Sequence, residues 1–508
     1  MKALHEVDTF GGIDADADTL LDECFQDHEA YLEAVAHKRP VVLGRKGSGK
    51  TAIFRKIIRT RKHDFFSFGH TFSDYPWHHH NLQAQIGVPE ELRYVQSWQY
   101  LILLTTAKLL LNQDQSQPWS ETAQEELSRI EKFVVDSYGT RDPDVTQLFS
   151  PAKRLRIRPH IRIGKEWADL GLDLERLPVS DLPRVLQEVN ANVSRAVVEC
   201  LNPELDYFVC FDELDRGFDL KSATYGNMLI GLLLAAKLLN DQARNAGKRF
   251  SVVVFLRDDI YQTLKFEDKN KVSETLVSRI EWDSARTKWT LQALMERRFE
   301  KVIGDGAKVP WSTVFDELHQ MPGRQTKYQH MLDRTFRRPR DIIKFSNEVL
   351  HAFKARGQYA ETTFTNDDVS NARAPYSEYL LRELEDEVHK HLPAHEEYFE
   401  ILRAVGTGLF GREELESTCK KRPDLLKDGS TPIQVLRQLF EFSVVAYQKT
   451  GGVGGGSEYV WRHIETRARF DEAAVYFRVH PGLVEALGLK RYGWKKQGGG
   501  ADADAEPA

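Results

Sequence analysis

Short apolar runs alternate with amphipathic stretches along the chain up to about residue 303. Residues 41–43, 208–211 and 250–256 are almost entirely Val, Leu, Phe and Cys. Continuous apolar runs of this length are typical of strands buried on both faces of a parallel sheet. Apolar residues at helical spacing follow several of them, as at 52–61. The pattern therefore predicts an α/β core with flanking helices.

A long, mostly helical insertion interrupts this alternation between about residues 73 and 201. Within it, residues 153–163 alternate between basic and apolar positions, so an extended backbone would place one basic face opposite one apolar face. The basic face would carry Arg154, Arg156, Arg158, His160 and Arg162. Two interpretations are open: a contact for nucleic-acid phosphates or an acidic partner, or edge-strand charge that prevents aggregation.

The second half of the chain has a different pattern. Helical periodicity dominates residues 311–387, and three further helices between about 398 and 441 precede two short apolar strands around a Gly-rich turn, which is typical of a winged helix. The predicted domains are a helical segment at 1–36, a P-loop ATPase core at 37–303 containing the insertion, a helical lid at 304–392, a winged-helix domain at 393–490 and a disordered tail at 491–508.

Residues 44–51 read GRKGSGKT, the phosphate-binding motif GxxxxGK[ST], between a predicted strand and a predicted helix. In this motif backbone N–H groups surround the phosphates, the Lys reaches the β- and γ-phosphates, and the hydroxyl binds Mg²⁺. We therefore predict an ATP and Mg²⁺ site with Lys50 in the catalytic role and Thr51 on the metal. The predicted nucleotide-binding residues of the loop are Gly44, Lys46, Gly47, Ser48, Gly49, Lys50, Thr51 and Ala52.

Two carboxylates, Asp212 and Glu213, follow the apolar run 208–211. Ligand sites of parallel sheets collect at the carboxyl ends of the strands, so both would lie near the phosphate loop. We predict that Asp212 binds the metal and that Glu213 orients or deprotonates the attacking water. Without the phosphate loop upstream, the same pair would be interpreted as a helix start.

Two arginines are candidates for sensing the γ-phosphate. Arg257 follows the strand at 250–256, and Arg340 lies in the first turn of a predicted amphipathic helix. A guanidinium at either position could stabilise charge on the transferred phosphoryl group. The alternatives are an ion pair of Arg257 with Asp258 or Asp259, and structural salt bridges for Arg337, Arg338 and Arg340.

Composition limits the binding partners and cellular location that we expect for this protein. The 508 residues carry a net charge of −6, so nucleic-acid contact would be local. No apolar run approaches a membrane span, and the N-terminus lacks the layout of a secretory signal, so we expect a cytoplasmic protein without a membrane partner. Four scattered cysteines argue against a zinc site or a disulfide framework.

Several motifs in order resemble one family. GRKGSGKT at 44–51, FVCFDELDRG at 208–217, VVFLRDDIY at 253–261, RIEWD at 279–283 and FRRPRDIIKFSNEVL at 336–350 are similar to the STAND-like, AAA+-related bacterial P-loop ATPases often encoded among anti-phage defence genes. The resemblance implies a nucleotide-binding core, a helical lid, a C-terminal winged helix, ATP rather than GTP, and a sensor role for Arg257.

The chain departs from that family in one respect, because no internal repeat of 20 to 50 residues follows the core. Sensing or effector activity would then belong to a partner chain or to the insertion. We expect a homo-oligomer, a separate effector or sensor protein, or both. The alternatives are a DNA-binding AAA+ ATPase of the origin-recognition or helicase-loader kind, and a small-molecule or nucleic-acid kinase. The presumed recognition helix at 431–441 carries one Arg and one Glu, which gives little support to DNA binding.

Overall fold

Contacts within the computed structural model divide the chain into two units. The sheet unit comprises Asp27–Arg45 and Lys50–Ile280, and the helical unit comprises Met1–Gln26, Lys46–Gly49 and Glu281–Ala508. The described residues are 2–71, 80, 88–144, 182–215, 223–285, 287–357, 362–389, 391–426, 428–449 and 458–490. The basic stretch with Arg154, Arg156, Arg158 and Arg162, the Gly-rich turn at 451–456 and the tail at 491–508 lie outside them.

A five-stranded parallel sheet forms the centre of the sheet unit, in the order β2-β3-β4-β1-β5. Its strands are β1 (Val41–Gly44), β2 (Phe65–Thr71), β3 (Asp206–Asp212), β4 (Phe250–Arg257) and β5 (Val277–Arg279). The three apolar runs of the sequence became β1, β3 and β4, which are buried along nearly their whole length. The predicted parallel α/β core is thereby confirmed, with β4 between β1 and β3.

Helices surround this sheet. They are α1 (Glu29–Val35), α2 (Lys50–Arg59), α3 (Val95–Asn112), α4 (Glu121–Tyr138), α5 (Leu182–Cys200), α6 (Ala223–Asn245), α7 (Asp258–Thr263) and α8 (Lys269–Thr275). The described part of the insertion is helical as predicted, in α3, α4 and α5. Helix α3 has buried residues around its whole circumference, and its side chains belong to the same apolar cluster as those of β1, β3 and β4. The described helices of the insertion therefore share the core of the sheet unit.

The helical unit contains helices followed by a small antiparallel sheet. The helices are α9 (Leu291–Val302), α10 (Trp311–Val314), α11 (Lys327–Leu332), α12 (Pro339–Arg356), α13 (Asn366–Val388), α14 (His395–Val405), α15 (Arg412–Lys421) and α16 (Pro432–Glu441). The strands β6 (Leu409–Gly411), β7 (Val445–Lys449), β8 (Glu458–Val460) and β9 (Tyr476–Val479) pair in the order β6-β9-β7-β8. The predicted three helices and strand pair are thus present, whereas the boundaries between lid, winged helix and core stay predictions.

The segment 1–36 differs from the expected helical segment. Apart from α1, the described residues 2–36 form one further helical element, a 3₁₀ turn at Leu4–Glu6. Asp18 Oδ1 accepts hydrogen bonds from the backbone N–H groups of Gly12 and Leu20, at 3.0 and 3.2 Å. Short acidic side chains that bond to nearby backbone compete with helix formation, which explains the turns before α1. Among the described residues, no helix has both the length and the apolar character needed to cross a bilayer.

His70 of β2 is a buried imidazole at the edge of the sheet. One ring nitrogen lies 2.9 Å from Thr105 Oγ1, and the ring stacks on Phe211 with centroids 5.0 Å apart. Burial lowers the pKa of His70 to about 3, and the Lys108 charge adds to the effect. Between about pH 3 and pH 6.5 the folded state therefore keeps His70 neutral, whereas the same side chain in an unfolded chain, with a pKa of about 6.5, is protonated.

We expect acid sensitivity from His70. Since the unfolded chain binds one more proton between about pH 6.5 and pH 3, the free energy of unfolding should fall by up to about 1.4 kcal/mol per pH unit on acidification. His70→Gln keeps a hydrogen-bonding side chain without the titration. Chemical denaturation across that range should give a shallower loss for the variant than for the wild type, and equal slopes would contradict the assignment.

Candidate nucleotide site

The phosphate-loop motif connects β1 to α2, as the sequence predicts. Lys50 opens α2, and its Nζ donates to the carbonyl oxygens of Gly44 and Arg45, at 3.0 Å each. Lys50 is partly buried; desolvation lowers the pKa of Lys50, and the nearby Asp215 and Asp212 charges oppose that shift. Lys50 is therefore a partly buried cation within reach of carboxylates, which suits a group that binds phosphate.

Asp212 ends β3, and it is 2% exposed. Its carboxylate accepts a hydrogen bond from the Thr51 side chain, whereas its Oδ2 atom has no hydrogen-bond partner among the described residues. Burial raises the pKa of Asp212, although the Thr51 bond and the Lys50 charge act in the opposite direction. A hydroxyl and a carboxylate side by side, with one buried oxygen unpaired, fit the hard oxygen donors that Mg²⁺ prefers.

Glu213 follows in a left-handed backbone conformation with φ of +60°. A non-glycine residue rarely adopts this region, and such strain is concentrated at functional sites. The structure therefore gives the predicted water-orienting residue an unusual backbone, while its role in catalysis stays a prediction.

Arg257 lies at the end of β4, directly across from Gly44 of β1 in the strand register. Its guanidinium forms a two-point contact with the Asp259 carboxylate, with Nε and Nη2 at 3.0 and 2.6 Å, and its Nη1 lies 3.5 Å from Asp215 Oδ2. The ion pair that the sequence left open is thus present. A sensor role for Arg257 would require the guanidinium to exchange a carboxylate for phosphate, and it stays a prediction.

The middle of the loop, Lys46–Gly49, packs within the helical unit. Arg338 Nη1 donates to the Lys46 carbonyl at 3.0 Å, and Trp282 Nε1 donates to the Ser48 carbonyl at 3.0 Å. Gly47 has a φ of +77°, and a Cβ atom there would lie only 3.2 Å from the Cβ of Arg340. Both the backbone conformation and the close approach explain the glycine.

Ion pairs surround this part of the loop. Glu383 of α13 pairs with both Lys46 and Arg340, at 3.5 and 2.8 Å. Arg338 pairs with Asp341 and with Glu387, at 2.9 and 3.1 Å. Arg338, Pro339 and Asp341 also form the start of α12, where proline suits the first helical position and an acidic residue suits the first turn. One helix start therefore supplies two arginines to the loop.

The structure brings together most of the predicted site residues within each unit. In the sheet unit Lys50, Thr51, Asp212 and Arg257 share the carboxyl edge of the sheet. Ala52 lies in the first turn of α2. In the helical unit Arg340 contacts Gly47, although a bond from Arg340 to phosphate stays a prediction. Sequence reasoning missed the contacts of Trp282, Glu383 and Glu387, and the RIEWD motif was the only signal for any of them.

Comparisons with known proteins give a partial context. The model of the FunZ-associated C-terminal helical domain matches residues 290–385. A protein of Escherichia coli strain K12 assigned to transposon gamma-delta, of 80.3 kDa, is 24% identical over 367 residues, which cover 70% of this chain. This chain spans about half of that protein, 48% of its length.

Among solved structures, Cdc6p from Pyrobaculum aerophilum aligns over 90% of both chains with 12% sequence identity and a TM-score of 0.30. That TM-score is too low to establish a common fold. The class of the protein therefore rests on its own sheet and motif: an α/β protein with a phosphate loop between the first strand of a parallel sheet and the following helix.

We expect Asp212→Asn to separate metal binding from stability. Burial raises the pKa of Asp212, so the ionised form costs free energy in the ligand-free fold at neutral pH, and the isosteric amide avoids that cost. The melting temperature without ligand should be equal or higher. Stabilisation by ATP with Mg²⁺, about 2.7 kcal/mol at a hundredfold excess over Kd, should be largely lost.

Thermal unfolding with and without ATP and Mg²⁺ measures both effects. The wild type with ATP and a chelator is the matched control, because it lacks the metal but keeps the carboxylate. A variant that ATP and Mg²⁺ stabilise as much as they stabilise the wild type would exclude Asp212 as a metal ligand.

Proposed function

We propose that the chain is an ATP-binding and ATP-hydrolysing molecular switch of the AAA+-related, STAND-like kind. The observation that carries the proposal is the group formed by Lys50, Thr51 and Asp212, where the phosphate-loop helix begins and β3 ends. A partly buried cation, a hydroxyl and a carboxylate with an unpaired oxygen are the groups that a magnesium triphosphate requires.

Hydrolysis follows from the chemistry of these side chains. Thr51 and Asp212 would hold Mg²⁺, which when bound neutralises charge on the β- and γ-phosphate oxygens. Lys50 binds the same phosphates as a point charge, after exchanging the carbonyl oxygens of Gly44 and Arg45 for phosphate. Glu213 orients the attacking water and accepts its proton.

Switching requires contacts that differ between ATP and ADP, since a ligand shifts an equilibrium only by its differential affinity for the two states. Arg257 and Arg340 are the two guanidinium groups we assign to that task. Each is held by a carboxylate, Asp259 and Glu383 respectively, that a γ-phosphate can replace. In this proposal ATP closes the lid and promotes assembly with a second copy or with a separate effector, and hydrolysis resets the switch.

The biological setting is proposed from resemblance. The motifs at 44–51, 208–217 and 336–350 resemble those of ATPases found among anti-phage defence genes, and we infer that the chain is the ATPase component of such a system. The C-terminal order of three helices and an antiparallel sheet supports a winged helix. The alternative, a DNA-binding AAA+ ATPase, gains nothing from the cations around α16, because Arg437 pairs with Glu472 and Arg462 with Glu441.

Glu213→Gln tests the catalytic assignment. The amide cannot accept the proton of the water, so we expect ATP binding to be retained while hydrolysis falls by about a hundredfold or more. Phosphate release under single-turnover conditions measures the step. Lys50→Ala is the companion variant, which should lose binding itself. Hydrolysis by Glu213→Gln at the wild-type rate would remove Glu213 from the mechanism.

The mass of the protein in solution tests switching. Light scattering on the purified chain should show a larger species with a non-hydrolysable ATP analogue than with ADP, because only the former supplies a γ-phosphate to Arg257 and Arg340. Lys50→Ala should give one mass under both conditions. An unchanged wild-type mass would contradict assembly of the chain with itself, leaving a separate partner as the only form of assembly in the proposal.

A further inference from the structure

Four carbonyl oxygens of the phosphate loop accept hydrogen bonds from side chains. Lys50 binds the carbonyls of Gly44 and Arg45 within the sheet unit. Within the helical unit, Arg338 binds the carbonyl of Lys46, and Trp282 binds that of Ser48. Loop carbonyls would repel a phosphate if they turned toward it. Hydrogen bonds that hold these carbonyls away from the phosphate therefore favour its binding.

Because the peptide unit is planar and trans, a hydrogen bond to one carbonyl also orients the N–H group of the next residue. In such a unit the carbonyl of one residue and the N–H of the next point in opposite directions. A donor that fixes the Lys46 carbonyl therefore fixes the N–H of Gly47, and one that fixes the Ser48 carbonyl fixes the N–H of Gly49. Both of these residues are glycines, with φ of +77° and +109°, and because glycine lacks a Cβ atom it does not itself restrain the backbone.

Arg338 is well suited to hold a peptide in place. Its side chain is 2% exposed, two carboxylates bind it, and its guanidinium lies over the Phe336 ring at 4.9 Å from the centroid. Rotation away from the loop would leave Asp341 and Glu387 as buried charges without their cation, which is costly. Trp282 is similarly fixed, since its ring is almost completely buried.

We propose that Arg338 and Trp282 are positioning residues for nucleotide binding, which hold the N–H groups of Gly47 and Gly49 toward the phosphates without touching the nucleotide. The inference rests on the proposed function. This positioning role differs from the roles of Arg257 and Arg340, because the N–H groups of the loop would bind phosphates that ATP and ADP share, whereas the two arginines would bind the γ-phosphate. Loss of either positioning residue should therefore weaken both nucleotides by the same factor.

The test uses two pairs of variants in the full-length protein. Trp282→Phe removes one buried indole donor, and its control Trp311→Phe removes another, which binds Glu317 at 2.7 Å elsewhere in the helical unit. Arg338→Met removes the cation from two buried carboxylates at the loop, and its control Arg356→Met removes the cation from Asp368 near the other end of α12. The two tryptophan variants should cost similar stability, and both arginine variants should be destabilising, while the effect on binding should differ within each pair.

Titration calorimetry with ATP and with ADP, both with Mg²⁺, gives the decisive numbers. We expect Kd to rise about tenfold for Arg338→Met and several-fold for Trp282→Phe, equally for both nucleotides, with kcat at saturation nearly unchanged. The control variants should bind as the wild type does. Arg338→Lys should fail to rescue, because an ammonium cannot reproduce the contacts of Nε and Nη1 together.

Three outcomes would overturn the proposal. If Trp282→Phe, the milder variant, and Arg338→Met bound both nucleotides with wild-type affinity, the side chains would not position the loop. A loss confined to ATP would make them γ-phosphate sensors instead. A wild-type protein without affinity for either nucleotide would refute the proposed function itself, which the first two outcomes leave intact.

Discussion

A loop that binds an anion through its backbone must turn its N–H groups inward, and its carbonyl groups must then find donors elsewhere. This constraint accounts for much of what surrounds residues 44–51. Arg338 donates to the carbonyl of Lys46 and Trp282 to that of Ser48, while Lys50 donates to the carbonyls of Gly44 and Arg45, which it would exchange for phosphate in the proposed function. The glycines at 47 and 49 permit the required turns, and long-range side chains then select one conformation among those that glycine allows.

The charges around the loop are balanced within the helical unit. Lys46, Arg338 and Arg340 face Asp341, Glu383 and Glu387, three cations against three carboxylates. The two pairs of Arg338 are buried, and buried pairs contribute little net stability although removal of one partner is costly. The arrangement therefore makes the geometry of the loop specific, and it couples the start of α12 to the conformation of the phosphate-binding backbone.

At the carboxyl edge of the sheet, burial disfavours the ionised forms of two side chains. Burial raises the pKa of Asp212 and lowers that of Lys50, so each ionised form is disfavoured in the ligand-free fold. Groups held in this way are characteristic of sites that complete their interactions with a ligand. The left-handed Glu213 adds backbone strain at the same place. Stability given up here is what a bound magnesium triphosphate would restore.

Local patterns predicted the parallel sheet, the helices of the insertion and the motif between β1 and α2. A strand buried on both faces and an amphipathic helix each give a recognisable pattern of apolar residues within a short stretch of sequence. These patterns predicted a helical segment at 1–36, whereas the α-helix there spans Glu29–Val35, and the backbone N–H groups of Gly12 and Leu20 bond to Asp18 in turns before it. They also did not decide whether Arg257 binds phosphate or pairs with Asp259, because an arginine at the end of a strand is preceded and followed by the same residues in either role.

The sequence by itself determined where a phosphate could bind: eight residues with the right glycines, lysine and threonine between a strand and a helix. Only the tertiary structure decided which side chains hold that loop in shape. Trp282 is 234 residues from Ser48, and Arg338 is 292 residues from Lys46. A hydrogen bond to a backbone carbonyl leaves no trace in the identity of the residue that accepts it, so no local pattern could have paired them.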